Sequence, residues 1–531
     1  MASSDSESLS LDLPGFNMPL NFMPDEAKFW NVAKELIHRG NGRTRNRFYD
    51  WESPFTEPGL PLITLRELRM LQFMNQITDK PDWVVKVFDH DVASKWRNEA
   101  LSSPEYMSEK MVDYCIAELR YKAKIYEGTG LISVFYGDVI KSDCAIPAWL
   151  QGELKALVAP LENIPARNLD WHPGSGQKVL DLVHPSLYPL VYGQTWILPE
   201  PKVTSVEDCI SRCCEGVVLP IPPEEERFVA DCNEPLFSRK FQWLPCDVDI
   251  SSDDGVSDLR PRPATSDEED EGPHREEGES ENTFYYRRFQ WMEEVREVVH
   301  PEPGEFVPPP VGVDDVDLRR DFGSSGLQII VKLANIQLTP EEPLYDGGSW
   351  HIEGQLNEHI CASALYYYDS ANITSSYLAF RQRPSTVYAG YPYMRYPQNS
   401  SSWLKKVFGC ENNGPEIQYV GKVDTREGHP TRPGHRKILA LFLVDPNIRI
   451  ISTANVPCQQ KDWWTTEIQR AGVLAKLPFE LQDQVFNEVK GFPISLKEAK
   501  EQRLELMEER KSFAFAHERG FEDSYFSLCE H

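Results

Sequence analysis

Long apolar runs are missing from this 531-residue sequence; the longest strongly apolar stretch, Ile438 to Val444, is far too short to span a bilayer. Positive charge is scarce as well. Lys and Arg number 55 against 83 Asp and Glu, a net of −28. That balance excludes a general nucleic-acid binder, because affinity for phosphate backbones comes from clustered cations releasing counterions. It also argues against an anionic membrane surface as partner. No basic n-region or apolar h-region opens the chain. The 11 cysteines, odd in number and thinly spread, fit reduced thiols better than a disulfide framework. A cytoplasmic or nuclear protein is expected. Internal repeats are absent.

What is present suffices for at least one large core, with 40% hydrophobic and 11% aromatic residues. Residues 1–62, rich in Pro, Gly and polar side chains, read as an irregular arm. From Thr64 the pattern is helical: Leu65, Leu68, Leu71 and Met74 share one face. Ser108 opens a second helix with Met111, Cys115, Leu119 and Ala123 at four-residue steps. Pro147 to Leu157 and Ser205 to Cys214 predict shorter helices, so 63–250 reads as mostly helical. Residues 251–282 hold 12 acidic and 3 basic side chains without apolar periodicity, and are expected to be a disordered insertion.

Beyond a helix-like piece, Tyr285 to Val299, the pattern turns to strand. Leu327 to Leu338, Ser349 to Glu353, Ile360 to Tyr368, Leu378 to Arg381 and Glu416 to Thr425 are each β-branched, apolar or aromatic. Ile438 to Val444 and Ile448 to Ala454 predict a consecutive pair across Asp-Pro-Asn. Short strands at this spacing indicate a jelly-roll-like β-sandwich over 283–475. Helices return over 476–531, where Ser495 and Glu498 make a capping box. The expected fold class is α+β: a helical N-terminal region, then a C-terminal double-stranded β-helix with flanking helices.

The strongest chemical signal is Trp350-His351-Ile352-Glu353-Gly354. On an extended strand the imidazole of His351 and the carboxylate of Glu353 point to the same face. One His and one carboxylate supply two thirds of the facial triad that holds non-haem Fe(II). Arg436, at the mouth of the apolar strand Ile438 to Val444, has the planar fork that grips a carboxylate with two parallel bonds. Its bland counterpart is an ion pair in a protein rich in acids. Cys209, Cys213 and Cys214 lack a second ligand pair at zinc-finger spacing. His172-Pro-Gly-Ser-Gly-Gln lacks the Lys-Ser/Thr of a phosphate loop.

Several blocks taken together are similar to a large fungal family classed as a domain of unknown function. They are Trp350-His-Ile-Glu-Gly-Gln-Leu-Asn-Glu358, Tyr366-Tyr-Tyr-Asp369, Asn372-Ile-Thr-Ser375 and Pro433-Gly-His-Arg-Lys-Ile-Leu-Ala-Leu-Phe-Leu-Val-Asp-Pro446. Met111 to Leu119 and Val183 to Tyr192 resemble it too, so the similarity covers most of the chain. That family distantly resembles Fe(II)/2-oxoglutarate oxygenases. The resemblance implies Fe(II) on His351 and Glu353, 2-oxoglutarate on Arg436, and hydroxylation of an unidentified small-molecule or protein substrate.

The sequence departs from the family where a Gln-His-Arg-type segment should carry the second iron-binding His. Here Thr425 to Gly434 is a ten-residue join with two Pro and two Gly, which is turn chemistry and holds no strand. About 15–20 residues are lost, roughly one strand with its turns, either naturally or through a skipped segment of the transcript. His429 is the expected substitute ligand, since His435 alternates with Arg436 and faces away from it. The rival reading is a non-catalytic binding or scaffold member of the same family.

Overall fold

The computed structural model describes most of residues 60–250 and 302–522. Residues 1–59, 222–237, 251–301, 309–317, 386–401, 426–432 and 523–531, with shorter breaks, lie outside the described set. Those outside include residues 1–59 of the N-terminal arm, the acidic insertion, Tyr285 to Val299, the cysteines at 209, 213 and 214, and His429.

Three long helices, with the short helix Trp83–Lys86 between the first two, form the N-terminal core. Helix α1 (Leu65–Thr78) starts where Thr64 Oγ1 accepts the Glu67 N–H at 3.1 Å. Helix α2 (His90–Leu101) starts on the Asp89 carboxylate, which accepts from Asp91 and Val92. Helix α3 (Glu109–Thr129) is capped by Ser108 and ends at Gly130, φ +69°. Its predicted stripe is real: Met111, Cys115, Leu119 and Ala123 are all fully buried. At about 1.5–3 kcal/mol per large apolar side chain, this face is what holds α3 in place. Strands β1 (Ile132–Phe135) and β2 (Val139–Lys141) pair beneath it.

Helix α4 (Ala148–Glu162) leads to β3 (Val179–Val183), and β4 (Cys246–Val248) follows. The long strands are β5 (Leu327–Leu338), β6 (Ile360–Ala371), β7 (Ser376–Gln382), β8 (Gln418–Thr425) and β9 (Gly434–Val444). An antiparallel sheet runs β6-β9-β5-β3, with β4 also paired to β5, while β7 and β8 form a separate ladder. That ladder packs on the helices: Val420 belongs to their core, and a Cβ at Gly421 would lie 2.4 Å from the Phe135 ring. Helices α5 (Lys461–Arg470), α6 (Phe479–Glu488) and α7 (Leu496–Glu522) complete the chain, α7 opening on the Ser495/Glu498 box.

Each face of the main sheet is covered. Leu333, Leu439 and Tyr368 pack on Val158 and Leu154 of α4. Ile330, Ala440, Phe442 and Val444 pack on Phe241, Trp243 and, from α7, Leu506. The architecture is therefore mixed α+β, with N-terminal helices and small antiparallel sheets. Among the described residues the strands do not close into a barrel or jelly roll. No described helix is long and apolar enough to cross a membrane.

Three strand expectations need correction. Ser349 to Glu353 is irregular, not extended, because the chain must turn at Gly354, φ +73°. The described part of Ile448 to Ala454 forms no strand either. Its backbone is satisfied by buried glutamine side chains: Gln328 exchanges two bonds with Ile450, and Gln242 donates to the Ile451 carbonyl. The strand expected to be lost before Gly434 leaves no gap beside Ile438 to Val444, which is paired on both sides, by β5 and β6.

Candidate metal centre

Asp170-Trp171-His172 runs antiparallel to β3, Trp171 bridging Leu180. The His172 N–H donates to the Val179 carbonyl at 2.8 Å, and the Asp181 N–H to the Asp170 carbonyl at 2.9 Å. Gly174 and Gly176, both with positive φ, close the turn between them. This hairpin brings His172 Nδ1 to 2.9 Å from Asp181 Oδ2. His184 follows β3 by one residue, its ring centroid 5.2 Å from that of His172. One ligand atom from each of His172, Asp181 and His184 lies within 4.8 Å of the others, so the three could hold a metal ion.

The electrostatics of this cluster admit a cation. The Asp181 side chain is 2% exposed, and its Oδ1 has no hydrogen-bond partner. A buried carboxylate oxygen left unsatisfied is costly, and a bound ion would relieve it. Burial pushes the His184 imidazole well below its ordinary pKa, helped by Lys332, His172, Arg503 and Arg510, so it is neutral at physiological pH. Its Nδ1 accepts the Ser186 N–H at 3.1 Å, a contact that ligation through that nitrogen would displace. Arg503 of α7 binds Asp170 at 2.6 and 3.0 Å and reaches Asp181 at 3.5 Å.

His351 and Glu353 meet without a strand, in a loop held from behind. Glu358, fully buried, accepts from the Gln355 and Trp243 backbones and pairs with Arg510, which lies over the Trp243 ring. Asn357 donates to the Phe241 carbonyl at 3.0 Å. So anchored, His351 Nδ1 lies 2.7 Å from the Ser349 carbonyl. A carbonyl only accepts, so Nδ1 carries the proton and Nε2 faces Glu353 Oε1 at 3.3 Å. Two acceptors cannot face each other bare; a second proton or a metal cation must lie between them. The Glu353 hydrogen bond raises the His351 pKa. Burial opposes ionisation of Glu353, but His351, Lys332 and Arg510 together hold it below the usual carboxylate range.

The other expected residues are placed differently. Arg436 shares the Phe442 face of β9, stacks over Tyr367 with 5.2 Å to the ring centroid, and donates to the Ser376 hydroxyl. Burial lowers its pKa. His435 lies on the opposite face, its Nε2 2.9 Å from Asp369. His359 sits just before β6 with φ +47°.

The structure thus pairs His351 with Glu353 and engages Arg436 elsewhere on the sheet. Sequence reasoning passed over His172, Asp181 and His184. Their one signal was two imidazoles and an aspartate within 13 positions, split by a Pro-Gly-Ser-Gly turn that returns the chain on itself.

A mixed α+β chain that gathers two imidazoles and a carboxylate at a sheet edge belongs to the class of candidate metal-binding proteins. More specifically, it is a member of the family described as Protein of unknown function (DUF4246), whose signature matches residues 109–262 and 257–467, with the family's N-terminal domain matching 13–99. No curated protein and no solved structure matches it.

Proposed function

We propose that this chain is a metal-dependent oxidoreductase of the non-haem Fe(II), 2-oxoglutarate-dependent type, acting on a small-molecule or protein substrate in the cytoplasm or nucleus. The observation that carries this reading is the convergence of His172, Asp181 and His184 within 4.8 Å, the two-imidazole, one-carboxylate donor set of such centres. Bound Fe(II) would supply the capacity to activate oxygen. The chain's own part is to hold His172 and Asp181 on one hairpin, keep His184 neutral, and shield Asp181 from water.

A second placement of the metal has its own support. His351 already donates Nδ1–H to a carbonyl, the outer contact that leaves Nε2 free for a metal, and Glu353 stands beside it as an ionised carboxylate. His429 would be the third ligand in that placement. Arg436 would hold the far carboxylate of 2-oxoglutarate, exchanging its Ser376 contact for a bidentate one. The double-stranded β-helix belongs to this proposal.

The test is an anaerobic Fe(II) titration of the full chain, with and without 2-oxoglutarate, followed by absorbance. One Fe(II) per chain and a charge-transfer band on adding 2-oxoglutarate are expected. Loss of iron in His172→Ala and His184→Ala, with His351→Ala unaffected, places the metal on the hairpin; the reverse pattern places it on the loop. No iron retained by the unsubstituted chain sinks the proposal and leaves a binding or scaffold protein.

A further inference from the structure

Helix α4 is amphipathic in the reverse sense. Its polar side chains turn toward the protein: Gln151 donates to the Tyr368 carbonyl at 2.7 Å, Lys155 pairs with Asp369 at 2.9 Å, and Glu162 accepts from Asn335 and Lys437 at 2.7 and 2.8 Å. Leu154 and Val158 lie among these contacts, against Leu333 and Tyr368. The outer face is apolar. Trp149 is 66% exposed and Leu157 76%, with Ile146, Leu150, Leu161 and Ile164 each at 38–41%. A surface helix normally turns its charges outward, yet from Ala145 to Ile164 this face carries a single charged residue, Glu153.

Two features point to a second helix lying on this face. Ala148, Gly152 and Ala156, four residues apart, set a strip of small side chains beside Trp149 and Leu157. Glycine inside a helix costs about 0.5–1 kcal/mol relative to alanine. Gly152 has no positive φ, and an added Cβ would meet nothing among the described residues within 4 Å, so the fold of the single chain does not call for it. A helix backbone approaching closely from outside does. The area is also sufficient. The six exposed fractions amount to roughly 550–600 Å², and the alanines and prolines between them bring the face to about 800 Å², one partner's share of a standard stable interface.

We propose that the outer face of α4 is a homodimer interface, covered by the α4 of a second copy of this chain. A chain of net charge −28 repels its own copies over most of its surface. Two copies can approach where charge is nearly absent, as it is on this face. Large side chains beside a strip of small ones make the face self-complementary, as a two-fold interface requires. Only Glu153 opposes the pairing, since both copies bring a like charge to one interface. The interface does not depend on the oxidoreductase reading.

The experiment is sedimentation velocity on the full chain from nanomolar to tens of micromolar concentration. A reversible monomer–dimer equilibrium is expected, tightening as salt screens the repulsion between acidic copies. Trp149→Glu and Leu157→Glu should each weaken dimerisation by about tenfold or more, and Glu153→Gln should strengthen it. Gly152→Ala gives a split readout: a higher melting temperature for the monomer, from better helix propensity, and a weaker dimer, because the added methyl holds the helices apart. Melts at monomeric concentrations that coincide with the unsubstituted chain would show that the two Glu variants fold. A monomer at every concentration, or a dimer unaffected by both Glu substitutions, would overturn the assignment. So would assembly beyond the dimer, which would mark head-to-tail pairing with the apolar helix α6, where Phe479 is 74% exposed. Flotation of a monomeric chain with phosphatidylcholine vesicles would overturn it too, by giving the face to a lipid surface.

Discussion

Arg503 Nη1 lies 2.6 Å from Asp170 and 3.5 Å from Asp181, so the last helix supplies the counter-charge at the base of the hairpin that carries His172. More than 300 positions separate Arg503 from these acids. The Arg503 side chain is 4% exposed and that of Asp181 2%, which makes this a buried network rather than a surface pair. Leu506 beside it packs into the core of the sheet. The helix and the hairpin therefore stand or fall together.

Removing that guanidinium leaves Asp170 to Lys500 alone and Asp181 to His172 alone, in a largely dry environment. Arg503→Ala should cost about 3–5 kcal/mol, the usual penalty for breaking a buried pair, read as a drop in the urea midpoint at unchanged slope. Arg503→Lys should recover only part, because an ammonium cannot match the fork that spans both Asp170 oxygens. A midpoint for Arg503→Ala within error of the unsubstituted chain would show that the network contributes nothing to stability.

Burial pushes the His359 imidazole down to about 4 from its ordinary 6.5. The unfolded chain then takes up a proton that the folded chain refuses. The stabilisation is therefore complete above about pH 6.5, is lost progressively as pH falls toward about 4, and is flat below. At about 1.4 kcal/mol per pH unit the loss reaches roughly 3 kcal/mol. His184, also depressed by burial, adds in the same direction. Denaturation midpoints measured from pH 7.5 to 4.5 should fall less steeply in His359→Gln. Parallel curves for the two proteins would contradict this.

Gly354 governs the loop that presents His351 and Glu353. At φ +73° an added Cβ would lie 2.7 Å from Ile360 Cδ1 and 2.8 Å from Glu358 Oε2. Gly347 has φ +86° with nothing within 4 Å. Gly354→Ala should thus cost more than Gly347→Ala, whose penalty is limited to about 1–3 kcal/mol of backbone strain. Thermal melts of the two variants make the comparison, and equal shifts would show that Glu358 and Ile360 yield freely. If the loop holds the metal, Gly354→Ala also weakens iron binding, whereas a metal on the hairpin is indifferent to it.

Much of the secondary structure was legible in the sequence. The Met111–Ala123 stripe, the Ser108 and Ser495 caps and the limits of Leu327–Leu338 are local patterns: one helical face, one hydroxyl three residues from an N–H, one unbroken β-branched run. Ile448 to Ala454 misled because an apolar run resembles a strand whether or not a ladder partner exists. Its partners are side chains, Gln328 more than 100 positions upstream and Gln242 about 200, and no local pattern reports that. Trp350 to Glu353 misled for a related reason. The His–Glu meeting was anticipated, but through strand alternation, whereas a turn at Gly354 achieves it.

By itself the sequence determined where helices start, which faces are apolar, that cations are scarce, and which residue types are present for metal chemistry. These properties depend on neighbours a few positions apart. Only the tertiary structure decided which of those residues meet. It folded a glycine turn so that His172 returns to Asp181, ended β3 so that His184 comes to stand beside His172, and brought Arg503 and Arg510 from the last helix to neutralise buried acids. Such meetings are set by register and by the packing of distant elements, and burial then decides which groups keep their charge.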